Sequence, residues 1–254
     1  MVTEGAFVVL DDDTRLTREG LAALLAALDG RTLVTGLPCY LDRGGMPSRL
    51  VAQFVNNNAA LTYLPLLAFA PPPTINGMTY AIAPAHLAAI GGFTPLWGRL
   101  ADDLALARRV LDAGGTIVQT PYPQFIATTV GDLRHYRALM HRWFLFALLL
   151  LREQPPAWTL AITLVHGLPP LLLWMTLVGS LASLPPIFIV IGVRAITLIV
   201  VQRAITGRSR HAPFLSIVSE LMQPLHLCHA LFQRRIVWRT RTYLVRANDD
   251  FRPV

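Results

Sequence analysis

Two pairs of carboxylates are the side chains best placed by type and spacing to do chemistry. Asp11 and Asp13 sit where the apolar run Ala6–Leu10, read as a short buried strand, stops in VVLDDDTRL. Open α/β sheets place their ligands at the carboxyl ends of strands, and in an extended chain residues i and i+2 point the same way. Two hard oxygen donors so placed suit Mg²⁺ or Mn²⁺ bridging substrate phosphates. The alternative that these residues leave open is a solvated acidic turn. Asp102 and Asp103 begin a helical run in LADDLALARRV. Acids in a first helical turn are favoured by the dipole by about 0.3–1 kcal/mol and need no catalysis to explain them. The second pair gains meaning from the first, and from HRW at His141–Trp143.

The elements that must hold these residues alternate between strand and helix, which predicts an α/β class. Leu21, Leu24, Leu25 and Leu28 recur at helical spacing after Thr17, a candidate N-cap, with Gly30 as the stop. Arg31–Gly36 reads as a strand running into GLPCY. Leu50–Ala70 is helix-like but carries Asn56, Asn57 and Asn58, which argues for a membrane-surface or cleft-lining position rather than a wholly buried one. TINGMTYAI reads as a strand whose Gly77 permits close backbone approach, HLAAIGGF as a helix with a glycine stop, and Leu104–Leu111 as a helix with the aspartates at its start.

The second half has a different character. Apolar residues make up 54% of the 254-residue chain and charged residues 15%, with a mean hydropathy of +0.49, too apolar for an ordinary soluble protein. Trp158–Leu184 and Pro186–Val201 read as a membrane hairpin, the first kinked by Pro169 and Pro170 and the second interrupted by Arg194. Arg194 either snorkels or faces a polar groove, or it reaches a lipid phosphate or substrate. Pro213–Phe232 is a third span or an interfacial helix, and Trp143–Leu151 is too short to span. The net charge of +7 comes from arginines that flank the apolar runs, which points to an anionic membrane face rather than nucleic acid. Arg152 before the hairpin and Arg203, Arg208 and Arg210 after it predict a cytoplasmic globular half. Met1–Gly5 lacks the features of a secretory leader, and Cys39 and Cys228 have no metal-ligand spacing.

These motifs, in this order, resemble the family 2 glycosyltransferases, specifically the ceramide glucosyltransferase-like branch. VVLDDDTRL is similar to its DxD-type strand end, VTGLPCY to its Gly-Leu-Pro loop, INGMTYAI and AIGGF to its acceptor-side strand and glycine turn. LADDLALARRV is similar to its acidic base motif, HRW to the end of (Q/R)xxRW, and IVWRTRTYLV to the tail after its last helix. The resemblance implies a partial GT-A domain over residues 1–142, an interfacial segment over 143–157, and membrane helices with a basic tail over 158–254. It implies a multi-pass, cell-membrane enzyme that moves a sugar from a UDP-sugar to a lipid such as ceramide with inversion. Asp11 and Asp13 would hold Mg²⁺ or Mn²⁺. Asp103 would be the general base with Asp102 beside it. Arg142 would stabilise the leaving diphosphate, Trp143 would stack near sugar or acceptor, and Gly77 would be a substrate-binding position.

Two departures accompany the resemblance. Leu139 stands where (Q/R)xxRW has a polar residue, and Thr35 precedes the Gly-Leu-Pro where the eukaryotic ceramide enzymes tend to have histidine. Family members also carry a longer stretch before the first of these strands. The expectation is therefore a chain that begins in mid-domain, with Ala6–Leu10 deprived of sheet neighbours and activity dependent on the missing part. A processive polysaccharide synthase of the same superfamily, or a non-catalytic membrane relative, are the alternatives.

Overall fold

The computed structural model describes residues 5–41, 43–179, 185–238 and 240–254, the side chains of 185–187 excepted. Strand β1 (Phe7–Leu10) turns into β2 (Thr14–Leu16) and helix α1 (Arg18–Ala26). Next come β3 (Thr32–Tyr40) and α2 (Met46–Asn58), which runs through a π-helical turn at Ala59–Tyr63 into α3 (Leu64–Leu67). Strand β4 (Thr79–Ile82), α4 (Pro84–Ala89), α5 (Asp102–Asp112) and β5 (Thr116–Ile126) follow. Four long helices, α6 (Leu133–Arg152), α7 (Pro156–Gly179), α8 (Pro185–Thr206) and α9 (Pro213–Phe232), precede a small sheet of β6 (Arg235–Trp238), β7 (Arg241–Val245) and β8 (Phe251–Pro253). These form two compact units: the described residues through Leu41 with Tyr63–Thr128, and those from 43 through Thr62 with Thr129–Val254.

The first unit is a five-stranded mixed sheet in the order β1-β4-β3-β5-β2, which confirms the α/β class. β3 and β5 pair in parallel and the other pairs are antiparallel. Successive side chains on a strand face opposite ways, and the core divides accordingly. Leu33, Ile82 and Ile117 join Leu106 and Val110 of α5 on one face. Their neighbours Val34, Ala81 and Val118 meet Leu24 of α1 on the other. Covered on both faces and paired on both sides, β3 is buried at all nine positions.

Thr17 caps α1 as expected, its side chain accepting from Gly20 N–H at 3.0 Å. The helix ends at Ala27, before the expected stop at Gly30, because Thr32 Oγ1 donates to the Ala27 carbonyl at 3.2 Å. α4 does stop at glycines: Gly91 and Gly92 have φ of 91° and 68°, and Gly92 N–H donates to Leu87 O at 2.8 Å. β1 departs from expectation. It is an edge strand, with Phe7 40%, Val8 38% and Leu10 49% exposed, rather than buried. It also keeps one sheet neighbour, β4.

The second unit packs α2 against α6 and α9. Asn56, Asn57 and Asn58 are all buried, because partners reach them, and Asn57 and Asn58 also line a small cavity, which agrees with the cleft-lining alternative. Asn57 Nδ2 donates to Ser216 Oγ at 2.8 Å and Asn58 Nδ2 to Phe54 O at 2.9 Å. Gln53 likewise donates to Arg210 O at 2.8 Å and accepts from Ala212 N–H at 3.1 Å. Trp143–Leu151 is a continuous part of α6, with Leu145 and Leu149 buried. α6 runs unbroken through the expected boundary at 142–143.

Among the described residues, α7 and the Phe188–Thr206 stretch of α8 are long and apolar enough to cross a membrane. Residues 180–184 of the expected first span lie outside the described residues. Leu160, Leu164, Met175, Ile189, Val193 and Ile196 are each more than half exposed, a surface that marks a lipid or protein partner. Arg194 faces α9, donating to Ser216 Oγ at 2.8 Å and pairing with Glu220. These partners match the polar-groove setting among those expected.

Candidate active site

The first unit brings the two aspartate pairs to one end of its sheet, at the carboxyl ends of β1, β3 and β5. Asp11 N–H donates to Met78 O at 2.9 Å, one residue beyond the last β1–β4 pair. The chain then turns, with Thr14 N–H donating to Asp11 O at 3.0 Å. Asp11 and Asp13 therefore sit in a turn, and the extended geometry expected from their spacing does not hold. The turn forms because Thr14 must enter β2 and pair with Ile126 of β5. Just past β5, Thr128 Oγ1 donates to Asp13 Oδ2 and Ala127 N–H to Asp13 O at 2.9 Å. Thr14 Oγ1 approaches the other carboxylate oxygen at 3.3 Å.

Asp11 is held above its ordinary carboxylate range by burial, then by Asp13, Asp102 and Asp12. The Tyr80 hydroxyl is pushed up to about 12 by burial, then by Asp102, Asp103 and Asp11. One phenol and one carboxyl thus both sense charges from the β1–β2 turn and from the first turn of α5. The Tyr40 hydroxyl is also raised, by burial and by Asp13.

Asp103 is pushed up to about 6, chiefly by burial and secondarily by Asp102; backbone hydrogen bonds from Leu104 and Gly77 oppose the rise. Leu104 N–H donates to Asp103 Oδ1 at 2.7 Å, and Asp103 N–H to Asp102 Oδ1 at 3.0 Å. Gly77 lies in the turn before β4 rather than within the strand. A Cβ on it would stand 2.9 Å from Asp103 Cβ and 3.0 Å from Oδ2. No larger residue fits between this backbone and the carboxylate. The expected close approach is real, and its object is Asp103.

The carboxylates fit a divalent cation. They are hard oxygen donors that crowd one another's negative charge, and Asp13 is oriented by two hydroxyls. No group of three or more potential ligands occurs among the described residues. Mg²⁺-type ions are commonly held by one or two carboxylates plus substrate phosphates, which matches two ligands better than a closed protein cage.

Arg142 and Trp143 belong to the second unit, on α6. Trp143 stacks on Phe54 with ring centroids 6.2 Å apart and planes at 25°, and the neighbouring His141 ring meets Arg235 O at 3.0 Å. Sequence reasoning missed Thr128 and Tyr80. Two threonines directly after a long strand, in ATTV, were the available sign of hydroxyls at a strand-end site. Nothing local marked Tyr80.

No curated protein matches the chain. A solved structure similar to it is the mannosyltransferase PcManGT from Pyrobaculum calidifontis in complex with GDP-Man and Mn²⁺. The two are 17% identical with a TM-score of 0.44, over 89% of this chain and 62% of that one. The chain thus spans about 62% of that protein's length. The model of the family described as Glycosyl transferase family 21 matches residues 4–251. That family includes ceramide glucosyltransferase, so the expected branch is met at family level under the number 21 rather than 2. With nearly its whole length matched, the chain belongs to glycosyl transferase family 21.

Proposed function

We propose that the chain transfers a sugar from a UDP-sugar to the hydroxyl of a lipid acceptor such as ceramide, at a membrane, with inversion. The observation that carries this reading is Asp103: a carboxylate titrating near 6, braced by Gly77, on the helix turn whose charge Asp11 senses. A general base works best with its pKa close to the working pH. Asp103 takes the acceptor O–H proton as that oxygen bonds to the anomeric carbon, and the bond from that carbon to UDP breaks on the opposite face. Asp102 keeps the base from becoming too weak by repelling its charge. Asp11 and Asp13 are the residues that would hold Mg²⁺ or Mn²⁺, which supplies charge neutralisation at the leaving diphosphate. Arg142 and Trp143 keep the roles that the family resemblance implies for them, a positive charge for the diphosphate and an aromatic face for sugar or acceptor. The first unit is read as a GT-A nucleotide-sugar domain on the cytoplasmic side, and α7 and α8 as membrane spans, with Arg152, Arg203, Arg208 and Arg210 at their cytoplasmic ends.

The test is UDP release from UDP-glucose by membranes containing the full chain, with ceramide, with and without Mn²⁺. Metal-dependent release that requires the lipid is expected, and the metal dependence is expected to disappear in Asp11→Asn. Release that is indifferent both to chelation and to Asp11→Asn would sink the metal assignment. Gly77→Ala is expected to lower turnover by about a hundredfold, the cost of misplacing a catalytic group by roughly 1 Å, while the circular dichroism spectrum is unchanged. Steady-state turnover of the purified variant checks it.

A further inference from the structure

We propose that the second unit holds a pocket for one hydroxyl or amide group of a neutral lipid. Asn57, Asn58, Arg194, Glu220, Gln223 and Pro169 are among the residues lining a cavity of about 20 Å³. That volume holds about one water-sized group.

Three features define the occupant. The first is charge. Arg194 is matched by Glu220 and hydrogen-bonded to Ser216, so the lining is neutral overall. A phosphate would have to compete with Glu220 for the guanidinium while facing its carboxylate. The second is an unanswered acceptor. Asn57 is only 5% exposed and spends its amide N–H on Ser216, while its Oδ1 is buried and has no partner among the described residues. A buried carbonyl oxygen in that state calls for an O–H or N–H donor. The third is the surroundings. Leu168 and Leu171, flanking Pro169 and Pro170 on α7, are 48% and 52% exposed on a helix apolar enough to cross a membrane. A polar pocket walled in part by Pro169 and Pro170 of that helix suits a molecule with one small polar group and hydrocarbon chains. The pocket does not depend on the sugar-transfer reading, since none of its residues belongs to the carboxylate site.

The experiment uses the full chain in phosphatidylcholine nanodiscs with two photoactivatable probes, a diacylglycerol and an N-acyl amino alcohol. Labelled peptides are read by mass spectrometry. Labelling of the segments around Asn57 and Pro169 is expected with at least one probe, the two arms telling hydroxyl from amide. Unlabelled neutral lipid should compete and phosphatidic acid should not. Asn57→Leu and Gln223→Leu should each reduce labelling about tenfold, the scale of one lost buried hydrogen bond. Gln223→Leu leaves the Asn57–Ser216 bond intact, so a lower signal there cannot be put down to misfolding of that contact. Absent labelling of both segments, equal labelling of both variants, or preferential competition by phosphatidic acid would each overturn the proposal. Labelling without any sugar transfer would leave it standing and count against the enzymatic reading alone.

Discussion

Asp103→Asn is expected to lower sugar transfer by about 10²–10⁴-fold, the usual contribution of a positioned general base, and at the same time to make the chain more stable in mild alkali. The two effects share one cause. Asp103 titrates near 6 in the folded chain against an ordinary value of 3.8, so the folded state binds this proton more tightly than the unfolded state does. Stability therefore falls as pH rises between the ordinary value and about 6, and the full cost of the buried charge is present above that window. Activity moves the other way, rising through pH 6 as the base ionises. Asparagine keeps the shape and carries no charge at any pH. The variant should lose the acid limb of the pH–rate profile along with its turnover, and should melt higher than the wild type at pH 8 but not at pH 4. Thermal melts at both values, beside turnover from pH 5 to 8, check it; unchanged turnover in the variant would place the base elsewhere.

Glu220→Leu is expected to be the most damaging single change in the second unit. Glu220 and Arg194 form an ion pair with side-chain exposures of 5% and 14%. Removing one member of a buried pair leaves the other charge uncompensated, at a cost of about 3–5 kcal/mol, whereas replacing both with apolar residues is often neutral or better. The double variant Arg194→Leu/Glu220→Leu should therefore recover most of the loss. Melting temperatures of the wild type, both single variants and the double variant in detergent form the cycle that measures the coupling. A Glu220→Leu chain that melts with the wild type would mean the pair is hydrated.

What could be read from the residues was local. The Thr17 cap, the Gly91–Gly92 stop and the aspartates in the first turn of α5 each depend on atoms within a few residues, and each formed as expected. Errors arose where a distant partner decided. Ala6–Leu10 has the composition of a buried strand, yet its edge position leaves it exposed, and sheet order is invisible in four residues. α1 ended early because Thr32, five residues past Ala27, bonds its last carbonyl. Asp11 and Asp13 have the spacing of strand neighbours, but pairing of β2 with β5 bends the chain between them. At the candidate site, the two aspartate pairs were legible as motifs in the sequence. The reason for Gly77 was not, since it depends on where Asp103 comes to rest.

The partners of α2 also set a timetable for biosynthesis. Gln53 and Asn57 bond to residues 157 to 159 positions later in the chain, and Ser219 reaches back 169 positions to Leu50. At a synthesis rate of about 5–20 residues per second, these amides wait roughly 8–30 s for partners that have not yet been translated. During that interval α2 is a helix whose apolar side chains are poorly accommodated by water and whose amides are poorly accommodated by lipid. The nascent chain is thus most dependent on the cell's folding machinery after α2 has emerged and before α9 has, and a ribosome stalled between α7 and α8 would strand it in that state.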